Sequence, residues 1–219
     1  MNINNWMENY KSEVLSLFGE RVWFIGLQGS RGREEAEESS DIDAVLILES
    51  ILPSDLEKYR DMLEGLPERE KVCGFFSGRA ELENWDKAEL FQFCNDTVPL
   101  YGTLEGLLGT VTRGDIYRAV RSGACSIYHA AVHNFIHGKE TETLKALYKS
   151  AVFVLQAQVF LRHGSFIKKH SQLAEYLLTE ESLILNNYFT VKNGGEIPFD
   201  KYSAVIIDWA SAVIRKTVS

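Results

Sequence analysis

A chain of 219 residues, 45% hydrophobic and 25% charged, has apolar material for one large domain or two small ones. Its net charge of −8 is unevenly spread: residues 1–110 hold 22 acidic and 10 basic side chains, a net of −12, while residues 111–219 hold 9 and 13, a net of +4. So acidic a first half is a poor electrostatic match for long nucleic acid and a better one for a cation, either a metal ion or a polycationic small molecule.

Trp6, Tyr10, Val14, Leu15 and Phe18 recur at three- and four-residue steps and predict an amphipathic helix within the first twenty residues. VWFIGLQGS (22–30) reads as a buried strand running into a turn, and the polar RGREEAEESS (31–40) as a loop or a frayed helix. DIDAVLILES (41–50), continuously apolar from Ala44 to Leu48, is a second strand. Pro53, Ser54 and Asp55 open a helix that runs to about Leu66. KVCGFFSG (71–78) is a third strand, RAELENWDKAELFQFC (79–94) is helical, and Pro99 with Gly102 marks a break before Leu104. From about Gly114 the pattern turns helical throughout: 116–138, 143–164, Lys168 to Leu178 and 202–218 carry apolar residues at helical spacing, with Gly138 and Gly164 at C-termini. The expected fold class is α+β, a small mixed-sheet domain over residues 1–108 followed by an all-α bundle over 109–219.

No apolar run approaches the roughly 20 residues of a bilayer span. The first twenty residues carry neither the basic start nor the apolar stretch of a secretory leader. Cys73, Cys94 and Cys125 are few and far apart, which suits a reducing cytoplasm better than a disulfide framework or a zinc site. Trp85 and Trp209 read as core anchors. His129 and His133 have the i, i+4 spacing of a zinc pair, but no Glu completes H-E-x-x-H, and helix-face packing is the reading taken. Tyr148 and Lys149 are secondary candidates for facing a cleft.

The chemistry concentrates in residues 27–46. Asp41 and Asp43 are one residue apart on a strand, so they share a face while Ile42 points into the core. Two such close like charges are reasonable if a divalent cation sits between them, and Mg²⁺ takes one or two carboxylates plus phosphate oxygens and water. The preceding strand ends in Gly29-Ser30: the glycine lets backbone N–H groups approach a phosphate, and the hydroxyl adds a donor. Arg31 and Arg33 follow as guanidinium partners for triphosphate oxygens or leaving pyrophosphate; the plainer reading of both is a loop balancing Glu34, Glu35, Glu37 and Glu38. Together these groups are equipment for phosphoryl-type transfer with one or two metal ions.

An apolar residue, Gly-Ser, the ten residues Arg31 to Ser40 and then Asp-x-Asp resembles the signature of the DNA polymerase beta-like nucleotidyltransferase superfamily. The look is nearest to its small bacterial members, the minimal, kanamycin and lincosamide nucleotidyltransferases. The resemblance covers residues 20 to about 105 and includes DTVPLYG (96–102), similar to the segment that ends the family's catalytic domain. It implies Mg²⁺-dependent transfer of a nucleotide monophosphate, usually AMP from ATP although another NTP stays open, to a hydroxyl of a small acceptor such as an antibiotic. Pyrophosphate would be released. Gly29 and Ser30, with Arg31 and Arg33, would bind the triphosphate, and Asp41 and Asp43 would be the catalytic, metal-binding pair.

One departure stands out. The family usually has a third carboxylate on a later strand, where this chain has Cys73, and a thiol does not replace a carboxylate on Mg²⁺. Glu81, Glu83 and Glu89 are the nearby substitutes, with Asp115, Glu140 and Glu142 as candidates from the helical half. That half resembles, more weakly, the HEPN-like bundles that accompany such enzymes, through LRHGSFIKKH (161–170). Seven residues separate Arg162 from His170, against four to six in the ribonuclease members, so nuclease activity is not carried over. The expected acceptor is small and hydroxylated, cationic if the acidic half governs its choice, and bound between the domains. Two alternatives remain: AMP transfer onto a protein partner, and a nucleotide-binding regulator that lost its chemistry with the third carboxylate.

Overall fold

Residues 1–216 are described in the computed structural model, and they form two units, 1–110 and 111–216. In the first, α1 (Ile3–Phe18) starts where the Asn2 side chain accepts from the backbone N–H groups of Asn4 and Asn5, satisfying two free donors of the first turn. β1 (Val22–Gln28) runs straight into a single helical turn, α2 (Gly29–Gly32), and β2 (Ile42–Leu48) follows after the polar loop. α3 (Pro53–Glu64) has Pro at its start, and the Asp55 carboxylate closes its first turn by accepting from Leu52 N at 2.9 Å. β3 (Val72–Gly78), α4 (Arg79–Glu83), α5 (Lys87–Asp96), β4 (Val98–Tyr101) and α6 (Glu105–Leu108) complete the unit.

The four strands form one mixed sheet in the order β3-β2-β1-β4, with β1 antiparallel to both neighbours and β2 parallel to β3. A parallel pair needs a crossover, and α3 supplies it. Ile42, Ala44, Leu46 and Leu48 alternate along β2 and pack with Trp6, Met7, Tyr10, Val14 and Phe18 of α1. Two polar tips anchor this layer: Trp6 Nε1 donates to Pro67 O at 2.8 Å, and the Tyr10 and Tyr59 hydroxyls share a 2.8 Å hydrogen bond. By the same alternation Asp43, Val45 and Ile47 project from the opposite face of the sheet. Phe93 of α5 packs on that face, 4.9 Å from the ring of Phe75.

The second unit is helical. α7 (Arg113–His133) is opened by Thr112 and Asp115, which cap each other's backbone, and ends in a π-helical turn over Asn134–Gly138. α8 (Thr141–His163) follows, then the short α9 (His170–Leu173), α10 (Thr179–Lys192) and α11 (Phe199–Arg215). α7 packs against α8 and α11, and α8 also packs against α10. Gly123 lets the first pair come close, since a Cβ there would press on Val154 Cγ2 at 2.7 Å. α8 is long and apolar enough to cross a membrane by length and composition, contrary to the sequence reading, but two-thirds of the window that passes is buried inside the unit. It is the unit's core helix.

The α+β class expected from the sequence is the one found. Several elements differ. The helix expected over 79–94 breaks at Asn84–Asp86, where Asp86 caps a new start by accepting from Ala88 N. Val98–Tyr101 is an edge strand despite Pro99, because a strand with one unpaired edge tolerates a residue that lacks an N–H. Within Lys168–Leu178 the helix is confined to α9 and the 3-10 turn Ala174–Tyr176 that continues it, and the unexpected helix is α10, whose Ile184, Leu185, Asn187 and Tyr188 are all buried and leave little apolar periodicity to read. The helix expected over 202–218 runs from Phe199 to Arg215, and positions 217 and 218 lie outside the described residues. Trp85 is 42% exposed and so is no core anchor, whereas Trp209 is buried. Tyr148 faces no cleft: it is fully buried, donates to Tyr202 O and accepts from Asn187 Nδ2, both at 2.9 Å.

Candidate active site

The strand register assembles the site. Gln28, the last residue of β1, lies opposite Asp43 of β2, and Asp43 lies opposite Cys73 of β3. Residues directly opposite in a ladder share a face, so these three side chains form a row across the sheet. Gln28 is fixed in it by donating to Thr97 Oγ1 at 2.7 Å and to Phe93 O at 3.2 Å. Asp41 precedes β2 and is exposed, and Asp43 is half-buried.

Gly29 is joined to Asp43 by geometry. Its φ is 69°, in the left-handed region, and a Cβ on it would collide with Asp43 Oδ2. The glycine of the Gly-Ser turn therefore lets the carboxylate of the second strand lie against its backbone. Ser30 follows within α2 and is half-buried.

The two arginines behave differently from phosphate ligands held ready in solvent. Arg31 Nε donates to Ser40 O at 3.1 Å and Asp41 O at 3.0 Å, and one terminal nitrogen donates to Ser40 O at 2.6 Å. It pins the end of the polar loop just where Asp41 begins. Arg33 is 5% exposed, and its Nη1 reaches both oxygens of Asp96 at 2.9 and 3.0 Å. Asp96 Oδ2 also accepts from Gly29 N at 3.3 Å. The buried pair thus ties the turn after β1 to the C-terminal end of α5.

Cys73 is exposed at the N-terminal end of β3, beside Asp43. Glu81 and Glu83 belong to α4, beyond the other end of that strand, about 16 Å of strand away at 3.3 Å per residue. Glu83 there pairs with Arg79 at 2.8 Å. Glu89 is exposed on α5. Asp115 is committed to capping α7, and its hydrogen bonds from the Thr112 hydroxyl and backbone and from Arg118 hold its carboxyl down at about 2. Glu142 pairs with Lys145 at 2.6 Å, and Glu140 accepts from the Thr143 hydroxyl. Among the described residues no group of three or more His, Cys, Asp or Glu is placed to hold a metal ion.

Sequence reasoning missed Gln28 and Asp96. Asp96 stood in the stretch 96–102 noted for its resemblance, but its contact with Gly29 spans 67 positions. Nothing local announces it.

No protein-family model matches the sequence, and no curated protein matches it. Among solved structures the fold is similar to the crystal structure of the spectinomycin adenyltransferase AAD(9) from Enterococcus faecialis with ATP and spectinomycin. The likeness covers 97% of this chain and 99% of that one, with a TM-score of 0.60 and 14% sequence identity. It establishes the fold over essentially the whole of both chains.

Proposed function

We propose that the chain is a Mg²⁺-dependent nucleotidyltransferase that moves AMP from ATP to a hydroxyl of a small acceptor of the antibiotic class. The observation that carries this reading is the contact of Gly29 with Asp43, which puts a Gly-Ser turn and an Asp-x-Asp pair on adjacent antiparallel strands. The full-length fold likeness to an adenyltransferase crystallised with ATP and spectinomycin supports it.

The donor set fits Mg²⁺ shared with a nucleotide: Asp41 and Asp43 offer carboxylate oxygens, and phosphate oxygens and water would fill the remaining positions. Bound there, the ion would offset phosphate charge and make the α-phosphorus more electrophilic. The Ser30 N–H and hydroxyl would hold the triphosphate, with Gly29, whose own N–H goes to Asp96, leaving room for its approach. Arg31 serves by fixing the loop that presents Asp41, and Arg33 by holding Asp96 against Gly29. In the transfer, the acceptor oxygen bonds to the α-phosphorus, the bond to pyrophosphate breaks, and the hydroxyl proton passes to solvent water. The helical unit is read as the acceptor-binding bundle. Three free cysteines agree with a cytoplasmic location.

Cys73 favours a second reading. It stands beside Asp43 where a third carboxylate would complete the site, and Glu81 and Glu83 are too far along the sheet to replace it. On that reading the chain binds nucleotide without transferring it. The discriminating measurement is pyrophosphate release from each of the four ribonucleoside triphosphates with Mg²⁺, against aminoglycosides, lincosamides, spectinomycin and simple polyols. Acceptor-dependent release that disappears in the Asp41→Asn/Asp43→Asn double variant establishes the transferase. Metal-dependent nucleotide binding with no release for any acceptor establishes the regulator.

A further inference from the structure

The helical unit contains a cavity of about 550 Å³ that the nucleotidyltransferase reading does not use. It opens where the first turns of α7 meet the ends of α8 and α11. Four cations line it, Arg113, Arg121, Arg162 and Lys216, and among the described residues no carboxylate does. Such a gathering of like charge in one concave surface raises the local positive potential and favours an anion.

Partners decide how much of that charge is available. Arg162 is neutralised: its two terminal nitrogens reach the oxygens of the buried Glu181 at 2.8 and 2.7 Å. Arg113 has no counter-ion among the described residues and is held by donating to Leu161 O at 2.9 Å, with its guanidinium 5.5 Å from the Tyr117 ring centre. Arg121 is exposed, and neither it nor Lys216 is paired with a carboxylate among the described residues. Three positive charges therefore lack an acidic partner there.

The remaining walls are of a different kind. Leu161 and Val213 give the cavity an apolar surface. Gln158 also lines it, and its Oε1 is buried without a hydrogen-bond partner, a costly state that a donor on a ligand would relieve. A concave, largely apolar site of this volume with a few converging polar groups has the size and character of a small-molecule site. We propose that this cavity binds an amphiphilic organic anion, a carboxylate, sulfonate or phosphate carried on an aromatic or aliphatic body. The anionic head lies among Arg113, Arg121 and Lys216, and the apolar body lies on Leu161 and Val213. A cationic small molecule meets three like charges there and is excluded, so this site is distinct from one for a cationic acceptor.

The probe is anilinonaphthalene sulfonate, titrated into the intact chain by calorimetry and fluorescence. The expected result is one saturable site per chain, weakened by added salt. Arg121→Glu and Lys216→Glu, both at exposed positions, each weaken it by about tenfold, the effect of roughly 1.4 kcal/mol, with unchanged thermal midpoints. A dansyl amine of similar size and opposite charge does not bind. The Asp41→Asn/Asp43→Asn variant binds the probe as the wild type does, which separates this cavity from the nucleotide reading. Absence of a saturable site, unchanged affinity in both charge reversals, or equal binding of the cationic probe overturns the proposal.

Discussion

At Gly29 two demands meet, a φ of 69° and an empty position where Asp43 Oδ2 lies. An alanine there bears the cost of the left-handed conformation, about 1–2 kcal/mol, and must also push the carboxylate away. Gly29→Ala is therefore expected to lower the unfolding free energy by roughly 2 kcal/mol and to weaken Mg²⁺-dependent nucleotide binding more than tenfold. Urea unfolding and calorimetry read the two effects. Gly106, with open space around its Cα in α6, is the control: Gly106→Ala is expected to be neutral or stabilising by up to about 1 kcal/mol. The row Gln28, Asp43, Cys73 leads to a second expectation. Cys73→Asp puts a carboxylate beside Asp43 on the same face, so Mn²⁺ affinity, read by electron paramagnetic resonance as a stand-in for Mg²⁺, should rise. No change would mean that the row does not converge on a shared ion.

Among the elements, α3 is the one whose stability is most plainly tied to pH. Asp55 is 1% exposed, accepts from both terminal nitrogens of Arg21 at 2.8 Å, and caps the helix through Leu52 N. The Arg21 guanidinium first, and the Leu52 N–H second, hold its carboxyl down at about 2. A group depressed on folding adds stability above its unfolded pKa and loses that stability as pH falls toward the folded one. Asp55→Asn should thus cost about 2 kcal/mol near neutrality, allowing for water around the partly exposed Arg21. The gap from wild type should close between pH 5 and pH 2 in urea titrations. A gap constant across that window would assign the loss to packing.

The same scale shows what the sequence could tell. β1, β2 and β3 were legible because their apolar runs end at turn residues, and α1 because its stripe is clean. β4 was hidden by Pro99, and α10 by being buried on several sides. In the site, Gly29, Asp41 and Asp43 lie within 15 positions and form a local pattern, whereas Gln28 and Asp96 act through hydrogen bonds to or from residues more than 60 positions away. Arg31 and Arg33 were visible as charges, but the partners that engage them, backbone carbonyls and a buried aspartate, exist only after folding.

For the molecule as a whole, charge sets a condition on the proposed chemistry. The unit that carries Gly29 and Asp43 has a net charge of −12 over residues 1–110, and the guanidinium groups nearest the turn are occupied, Arg31 by loop carbonyls and Arg33 by Asp96. A nucleoside triphosphate is itself strongly anionic, and exposed like charges repel over roughly 8 Å at physiological ionic strength. Backbone N–H groups at one turn do not offset that repulsion, so a divalent cation on Asp41 and Asp43 has to. ATP binding to the intact chain should accordingly be lost when EDTA removes divalent ions and return with Mg²⁺. It should be equally lost in Asp41→Asn/Asp43→Asn at saturating Mg²⁺, where the ion has no carboxylates to hold it. If calorimetry found ATP bound as tightly in EDTA as in Mg²⁺, the triphosphate would be held by basic side chains. The acidic pair would then have no part in recognising it.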